Sequence, residues 1–154
     1  MDKYMRAAFS QALEAYKIGE VPVGCVIEKD GKIIGRGHNL VEKSRLATRH
    51  AEIIAIEEAC KNLDSWRLTG SNIYITLEPC TMCIGAIIHA RIKNIHIGAL
   101  DPNRGSAISK IPVIAEELIP NRCMLIIEEN EVCSYILSRF FRKLRKKNEI
   151  IDIQ

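Results

Sequence analysis

The sequence has few aromatic residues and no apolar segment long enough to cross a bilayer. Aromatic residues make up 5% of the 154 positions and hydrophobic residues 47%, so a core would consist mainly of Ile, Leu, Val and Ala. Residues 84–92 come nearest to a membrane span, but they include His89 and Arg91 and are too few. A chain of this length predicts one domain with one core and no membrane partner.

The first residues lack the short apolar block of a signal peptide. Residues 1–18 form an amphipathic pattern with charges throughout. The six cysteines therefore indicate reduced thiols rather than a disulfide framework, and we expect a cytoplasmic protein. Cys25, Cys60 and Cys133 fall on apolar faces, where a thiol serves as a small core side chain.

The net charge of +3 is a weak bias, but the basic residues are clustered. One cluster, in the last predicted helix, comprises Arg139, Arg142, Lys143, Arg145, Lys146 and Lys147. Another, before His50, comprises Lys43, Arg45 and Arg49. Such clusters form either a solvated face or a surface that binds an anion, and the charge pattern alone leaves both interpretations open.

Segments with hydrophobic residues at helical spacing alternate with short β-branched segments. The first helix should end near Gly19, and Asp30-Gly31 predicts a tight turn between two strands. Further helices are predicted over residues 50–62, 81–90, 113–118 and 129–147, and strands over residues 21–28, 33–37, 72–77, 93–98 and 123–127. This order predicts an α/β protein with three α/β/α layers around a mixed five-stranded sheet. No internal repeat or linker divides it, so we expect a single domain over residues 1–154, with about 148–154 as a C-terminal tail.

Two fragments, His50-Ala51-Glu52 and Pro79-Cys80-Thr81-Met82-Cys83, contain the residue types of a catalytic zinc site. Zinc prefers a tetrahedral shell of His nitrogen and Cys sulfur, and a catalytic site keeps one position for water. Cys80 and Cys83 are three residues apart at a predicted helix start, so both sulfurs lie on one side. We therefore predict one Zn²⁺ per chain, bound by His50, Cys80 and Cys83.

Glu52 is the predicted proton shuttle of this site. Its offset of two residues from His50 places its carboxylate near the water rather than on the metal, where it can move protons to the substrate. Taken alone, Glu52 would be interpreted as a first-turn residue that complements the helix dipole.

A structural zinc site is the alternative, and it needs a fourth protein ligand. The remaining candidates show no ligand spacing; they are Cys25, Cys60, Cys123, Cys133, His38, His89 and His96. The combined fragments therefore favour a catalytic centre.

The two fragments together resemble the signature of zinc-dependent nucleobase deaminases, and the wider sequence resembles the tRNA-specific adenosine deaminase family within them. The likeness runs over nearly the whole chain. It rests on Glu20-Val21-Pro22-Val23-Gly24, Arg36-Gly37-His38-Asn39, Ser65-Trp66-Arg67-Leu68, Thr76-Leu77-Glu78-Pro79-Cys80, Ile88-His89-Ala90-Arg91-Ile92 and Phe140-Phe141-Arg142. The resemblance implies a cytidine-deaminase-like fold, a homodimer with the site near the interface, and no organic cofactor.

The resemblance also implies substrate contacts. Asn39 would hydrogen-bond the target base, Asp101 would lie near the ribose and flanking nucleotide, and Asn121 would help hold the anticodon loop. Arg142 would neutralise RNA phosphate. Without the resemblance, Asp101 and Asn121 would be interpreted as loop residues, because Asp and Asn favour turns.

Two segments depart from the family pattern. The family usually has Pro-Thr-Ala before the zinc His, where this chain has Ala47-Thr48-Arg49. The loop over residues 101–109 usually follows Asp-x-Lys-x-Gly-Ala-x-Gly-Ser, and here Asn103 and Ile108 replace the Lys and the second Gly, although Arg104 could supply the charge.

The predicted reaction is hydrolytic deamination of adenosine to inosine at the wobble position of a tRNA anticodon. One alternative is a deaminase of a free nucleobase or nucleoside, of the guanine, cytosine or adenine type, which would use the same metal residues. A second is a non-catalytic zinc-stabilised RNA-binding protein, which would have no need of Glu52.

Overall fold

The computed structural model describes residues 1–115 and 123–151. The helices are α1 (Lys3–Lys17), α2 (Val41–Ser44), α3 (Ala51–Leu63), α4 (Thr81–His89) and α5 (Glu131–Ile151). The strands are β1 (Gly24–Lys29), β2 (Lys32–His38), β3 (Asn72–Ile75), β4 (Asn94–Ile97) and β5 (Met124–Ile127). A 3-10 turn covers Val113–Ala115.

The strands form one five-stranded sheet in the order β2-β1-β3-β4-β5. β1 is antiparallel to both of its neighbours, whereas β3, β4 and β5 are parallel to one another. The β1–β2 turn places Asp30 and Gly31 at φ 51° and 81°, the left-handed region that the Asp-Gly sequence tolerates. The predicted mixed five-stranded sheet is confirmed.

Helices cover both faces of this sheet. On one face, Met5 and Ala8 of α1 pack with Val26 and Tyr74. α5 lies beside α1, since the ring centroids of Tyr16 and Phe140 are 6.2 Å apart. On the other face, α3 and α4 pack onto the larger cluster of buried residues, which is built mainly from Ile and Ala. Each fully buried Ile contributes roughly 1.5–3 kcal/mol to folding.

The packing of α3 against β2 is unusually close. A Cβ at Gly37 would lie 2.1 Å from the carbonyl oxygen of Ala51, a separation that no side chain could occupy. The helix presents Ala51, Ala55 and Ala59 to the sheet, all fully buried. Small residues on both elements therefore hold the first turn of α3 directly against the sheet.

Some boundaries differ from the sequence predictions. β1 begins at Gly24 rather than at 21, because a tight turn with a 2.8 Å hydrogen bond from Val23 N to Val21 O precedes it. Residues 39–49, for which the sequence analysis predicts neither helix nor strand, contain the four-residue helix α2. The predicted helix over residues 113–118 forms a 3-10 turn as far as Ala115, and its remainder lies outside the described residues. Among the described residues, no helix is long and apolar enough to span a bilayer.

Candidate functional site

The N-termini of α3 and α4 meet at one point, and each begins with a predicted metal ligand. His50 is the N-cap of α3 and Cys80 is the N-cap of α4, both with extended backbone. Cys83 follows in the first turn of α4 and is completely buried. The positive ends of two helix dipoles therefore converge on the same volume and favour negative charge there.

The three side chains have the spacing of a metal site. Nδ1 of His50 lies 3.7 Å from Sγ of Cys80 and 3.6 Å from Sγ of Cys83. The three ligand atoms lie within 4.8 Å of one another. Zinc bonds of about 2.0–2.3 Å in a tetrahedron separate neighbouring ligand atoms by roughly 3.5 Å. The donor set and the two His–Cys distances therefore fit zinc.

The electrostatics of the three ligands favour a bound cation. Hydrogen bonds from Cys83 and then His50 lower the pKa of the Cys80 thiol to about 3, although burial opposes this. The hydrogen bond to Cys80, followed by burial, raises the pKa of Cys83. The pKa of His50 is raised, chiefly by its hydrogen bond with Cys80. The group holds a thiolate and shares protons that a divalent cation would replace.

Glu52 lies in the first turn of α3 and is only 3% exposed. Burial raises the pKa of its carboxyl above the usual range, against the opposing effects of a backbone hydrogen bond and the His50 charge. A raised pKa brings a carboxyl closer to neutral pH, where it can both accept and donate a proton. Glu52 is not one of the three clustered ligands.

An open cavity adjoins the metal site. Its lining brings together predicted site residues from distant parts of the sequence, namely Asn39, His50, Glu52, Cys80 and Asp101. Arg104 and Phe141 also line it. The lining does not include Arg142, whose side chain is exposed on α5. Asn121 lies outside the described residues.

Glu20 is a site residue that the sequence did not identify. Its carboxylate is 1% exposed and accepts hydrogen bonds from Nδ2 of Asn39 at 2.9 Å and from the backbone N–H of Lys43 at 2.7 Å. Glu20 therefore holds Asn39, which is 7% exposed, at the wall of the cavity. The sequence offered one signal for Glu20: it is an acidic residue in a segment that resembles the family. That resemblance gave it no role of its own.

Glu78, two positions before Cys80, is a second site residue that the sequence analysis did not identify. Its carboxylate is 3% exposed and accepts hydrogen bonds from the loop over residues 101–109. Burial would raise its pKa, but hydrogen bonds from the backbone of Ile108 and from Ser109 lower it below the usual value. The carboxylate is therefore ionised, and donors of the loop satisfy its hydrogen-bonding capacity.

The basic side chains near the site differ in their contacts. Arg49 pairs with Glu57 at 2.7 Å, so part of its charge is already compensated. Arg104 lines the cavity. Arg145 lines a neighbouring groove that shares Asp101 and Phe141 with the cavity. Positive charge therefore continues from the cavity along α5.

Comparisons with known proteins agree with this site. Residues 1–99 match the family model of the cytidine and deoxycytidylate deaminase zinc-binding region. The tRNA-specific adenosine deaminase of Bacillus subtilis is 42% identical over 148 residues, covering 95% of this chain and 91% of that protein. The tRNA-specific adenosine deaminase of Aquifex aeolicus is 40% identical over 148 residues, covering 96% and 97%.

Solved structures show the same relationship. A structure from studies of A-to-I editing by tRNA:A34 deaminases superimposes with a TM-score of 0.78 and 37% identity, covering 80% of this chain and 95% of that one. Guanine deaminase from Bacillus subtilis gives a TM-score of 0.61 and 33% identity, covering 73% and 83%. The matched family and the ligand geometry identify zinc as the cofactor. Two curated members are 42% and 40% identical to this chain over nearly its full length. The chain therefore belongs to the tRNA-specific adenosine deaminase family of zinc-dependent hydrolytic deaminases.

Proposed function

We propose that this protein deaminates adenosine to inosine at the wobble position of a tRNA anticodon. One observation carries the proposal: a zinc-type ligand triangle and a buried Glu52 open into a cavity that Asn39 also lines, in a chain 42% identical to a tRNA-specific adenosine deaminase. The tRNA anticodon loop is then the macromolecular partner.

His50, Cys80 and Cys83 would hold the zinc through one nitrogen and two sulfurs. When bound, zinc lowers the pKa of a coordinated water to about 7 and so supplies a nucleophile at neutral pH. Asn39 would hydrogen-bond the base and hold its C6 position towards the ligands.

Glu52 moves the protons of the reaction. Its carboxylate accepts a proton from the attacking water and gives it to a ring nitrogen of the purine. It then takes the remaining proton from the hydroxyl added at C6 and delivers it to the amine. The C–N bond breaks, ammonia departs, and the oxygen that lost its proton becomes the carbonyl of inosine. Burial raises the pKa of Glu52, which favours the protonated form that the second transfer needs.

The flanking nucleotides would lie along the groove beside α5. Asp101 would contact the ribose and flanking nucleotide, and Arg142, exposed on the same helix as Arg145, would approach phosphates of the anticodon loop. Asn121 remains a predicted contact to that loop. An RNA bound in this way would be attracted by phosphate neutralisation, which weakens with salt.

We infer that the chain is a single domain, works as a homodimer and is cytoplasmic. One sheet carries all the strands of the described residues, which supports a single domain. No disulfide joins the six cysteines, all of which lie among the described residues, and this is consistent with a reducing compartment. The family resemblance supports the dimer, and light scattering of the purified protein tests it.

A deaminase of a free nucleobase is less well supported. The structural similarity to guanine deaminase covers 73% of this chain at 33% identity with a TM-score of 0.61, against 80%, 37% and 0.78 for the structure from the tRNA:A34 deaminase studies. A non-catalytic RNA-binding protein would have no reason to bury a carboxylate beside the metal ligands. The deciding assay incubates the pure protein separately with tRNA and with free bases and nucleosides, and identifies each product by mass. Turnover of free bases without turnover of tRNA would refute the proposed substrate.

A further inference from the structure

The loop over residues 101–109 is attached to the metal-bearing turn by one buried carboxylate, that of Glu78. Oε1 accepts hydrogen bonds from the backbone N–H groups of Ala107, Ile108 and Ser109 at 3.1, 2.8 and 2.9 Å. Oε2 accepts one from the backbone of Asp101 at 3.0 Å, and another from the hydroxyl of Ser109. Five donors thus converge on a side chain that is 3% exposed.

The contact between the loop and this turn leaves no spare room. A Cβ at Gly105 would lie 2.3 Å from Cδ of Glu78, so the loop backbone rests directly on the carboxyl group. The backbone N–H of Ser106 donates to the carbonyl of Pro79 at 2.9 Å, and its hydroxyl lies 2.7 Å from that of Thr81. The loop is therefore fastened to the residues on both sides of Cys80.

The same loop supplies one wall of the cavity. Asp101, Asn103 and Arg104 line it together with the metal ligands His50 and Cys80. The start of the loop is ordered internally, because Oδ1 of Asp101 accepts from the backbone N–H groups of Asn103 and Arg104 at 2.9 and 3.1 Å. Its placement relative to His50 and Cys80 depends on the attachment to Glu78. Glu78 also lines the cavity, but its two carboxylate oxygens are already occupied by the five donors of the loop.

We propose that Glu78 is a positioning residue: its carboxylate sets the distance between the substrate-facing wall of residues 101–104 and the metal site, and so governs substrate binding. This inference rests on the proposed function for the identity of the substrate. The attachment itself can be observed without any substrate. Loss of the carboxylate should release the loop while leaving the zinc ligands and Glu52 in place.

The test uses full-length, zinc-loaded protein carrying Glu78→Gln. The Gln side chain replaces one acceptor oxygen with an NH2 group, which then faces N–H groups that donated hydrogen bonds to the carboxylate. Glu58→Gln is the matched control, because Glu58 also accepts a backbone N–H, from Arg36 at 2.7 Å, but lies outside the cavity lining. Ser109→Ala removes a single donor and serves as a milder second variant. Three quantities are measured: zinc per chain, amide hydrogen exchange of residues 101–110, and kcat and KM.

We expect Glu78→Gln to keep one zinc per chain and to exchange the amides of residues 101–110 at least tenfold faster. Its KM should rise by about tenfold or more, with a smaller change in kcat, because hydrogen bonds to a charged group stabilise the bound loop strongly. Ser109→Ala should shift both quantities in the same direction by less. Glu58→Gln should behave like the wild-type protein.

Three results would overturn the proposal. Zinc loss in Glu78→Gln would make Glu78 a support of Cys80, and unchanged exchange would show that the loop is held by other contacts. Faster exchange with an unchanged KM would show that the loop position does not govern binding. If Glu78→Gln does not fold, Ser109→Ala decides by the same criteria. If the wild-type protein ignores tRNA, the proposed function fails, and KM is then measured with the substrate it does turn over.

Discussion

Nδ2 of Asn39 donates a 2.9 Å hydrogen bond to the buried carboxylate of Glu20. An ionised carboxylate only accepts hydrogen bonds, so Asn39 must direct its nitrogen to Glu20 and keep its oxygen available as an acceptor. The same carboxylate accepts from the backbone of Lys43, which ties Asn39 to the start of α2. The residue predicted to contact the base is therefore held in one orientation before any substrate arrives.

Replacing Asn39 should impair the reaction on every substrate. Asn39→Ala removes the base contact and leaves Glu20 with an unmet acceptor, so kcat/KM should fall by about 10–100-fold. The loss should be similar for a whole tRNA and for a minimal anticodon stem-loop, because the contact lies within the cavity. Steady-state kinetics on both substrates check this. A loss confined to the whole tRNA would assign Asn39 to RNA docking instead.

Zinc content should depend on the three clustered ligands. Cys83→Ser should reduce bound zinc well below one ion per chain, since it removes one of the two thiolates. Cys60→Ser is the matched control, because that thiol lies on α3 and contacts the carbonyl of Trp66. Metal analysis of the purified variants measures the effect. Equal zinc in both variants would show that another side chain completes the shell.

Removing the proton shuttle should separate metal binding from chemistry. Glu52→Gln should keep zinc and fold but reduce turnover by about 10²–10⁴-fold, because general acid–base groups contribute this much. Metal analysis, thermal unfolding and single-turnover kinetics test the three parts. Near-normal turnover would mean that a different group carries the proton.

Charge on α5 should matter for RNA and not for small substrates. Arg142→Glu together with Arg145→Glu should weaken tRNA binding, and the wild-type protein should show a salt slope of roughly −0.7 per single-strand phosphate contact. Binding titrations over a range of salt concentrations give both quantities. If the double variant binds tRNA with wild-type affinity and slope, the RNA lies elsewhere.

Tyr74 should make the protein sensitive to alkali. Burial, followed by the charges of Asp2, Glu28 and Glu128, raises the pKa of Tyr74 to about 12. An unfolded tyrosine ionises near pH ~10, so its stabilising effect is complete below about pH 10 and is lost as the pH rises towards 12. Tyr74→Phe should remove this part of the alkaline loss. Denaturant unfolding at several pH values compares the two proteins.

The metal ligands could be predicted from the sequence because each lies in a short local pattern. Helical spacing was enough to predict that Cys80 and Cys83 act together. The role predicted for Glu52, which is not a ligand, came from its offset of two residues from His50. Glu20 and Glu78 could not, since their partners lie 19 and up to 31 residues away and belong to other elements. Only the folded chain brings those partners together.

The same distinction between local patterns and long-range contacts applies to the helices and strands. The apolar period of α3 and the β-branched run of β3 were predicted to within a few residues, because burial on a fixed face leaves a regular pattern. α2 was missed, since four residues without a buried side chain leave no period. The start of β1 was placed too early, because Val21 and Val23 are apolar but belong to a turn.

The attachment of residues 101–109 to Glu78 uses main-chain groups at four of its five points. Every residue except proline carries a backbone N–H, so most side chains of this loop can be exchanged without detaching it. Ile108 is one such position: its N–H contacts Glu78 and its side chain is 41% exposed. The position of the loop is thus set by backbone contacts, whereas its side chains determine which groups it presents to a substrate. Substitutions within the loop could therefore change substrate preference without altering the hydrolytic centre.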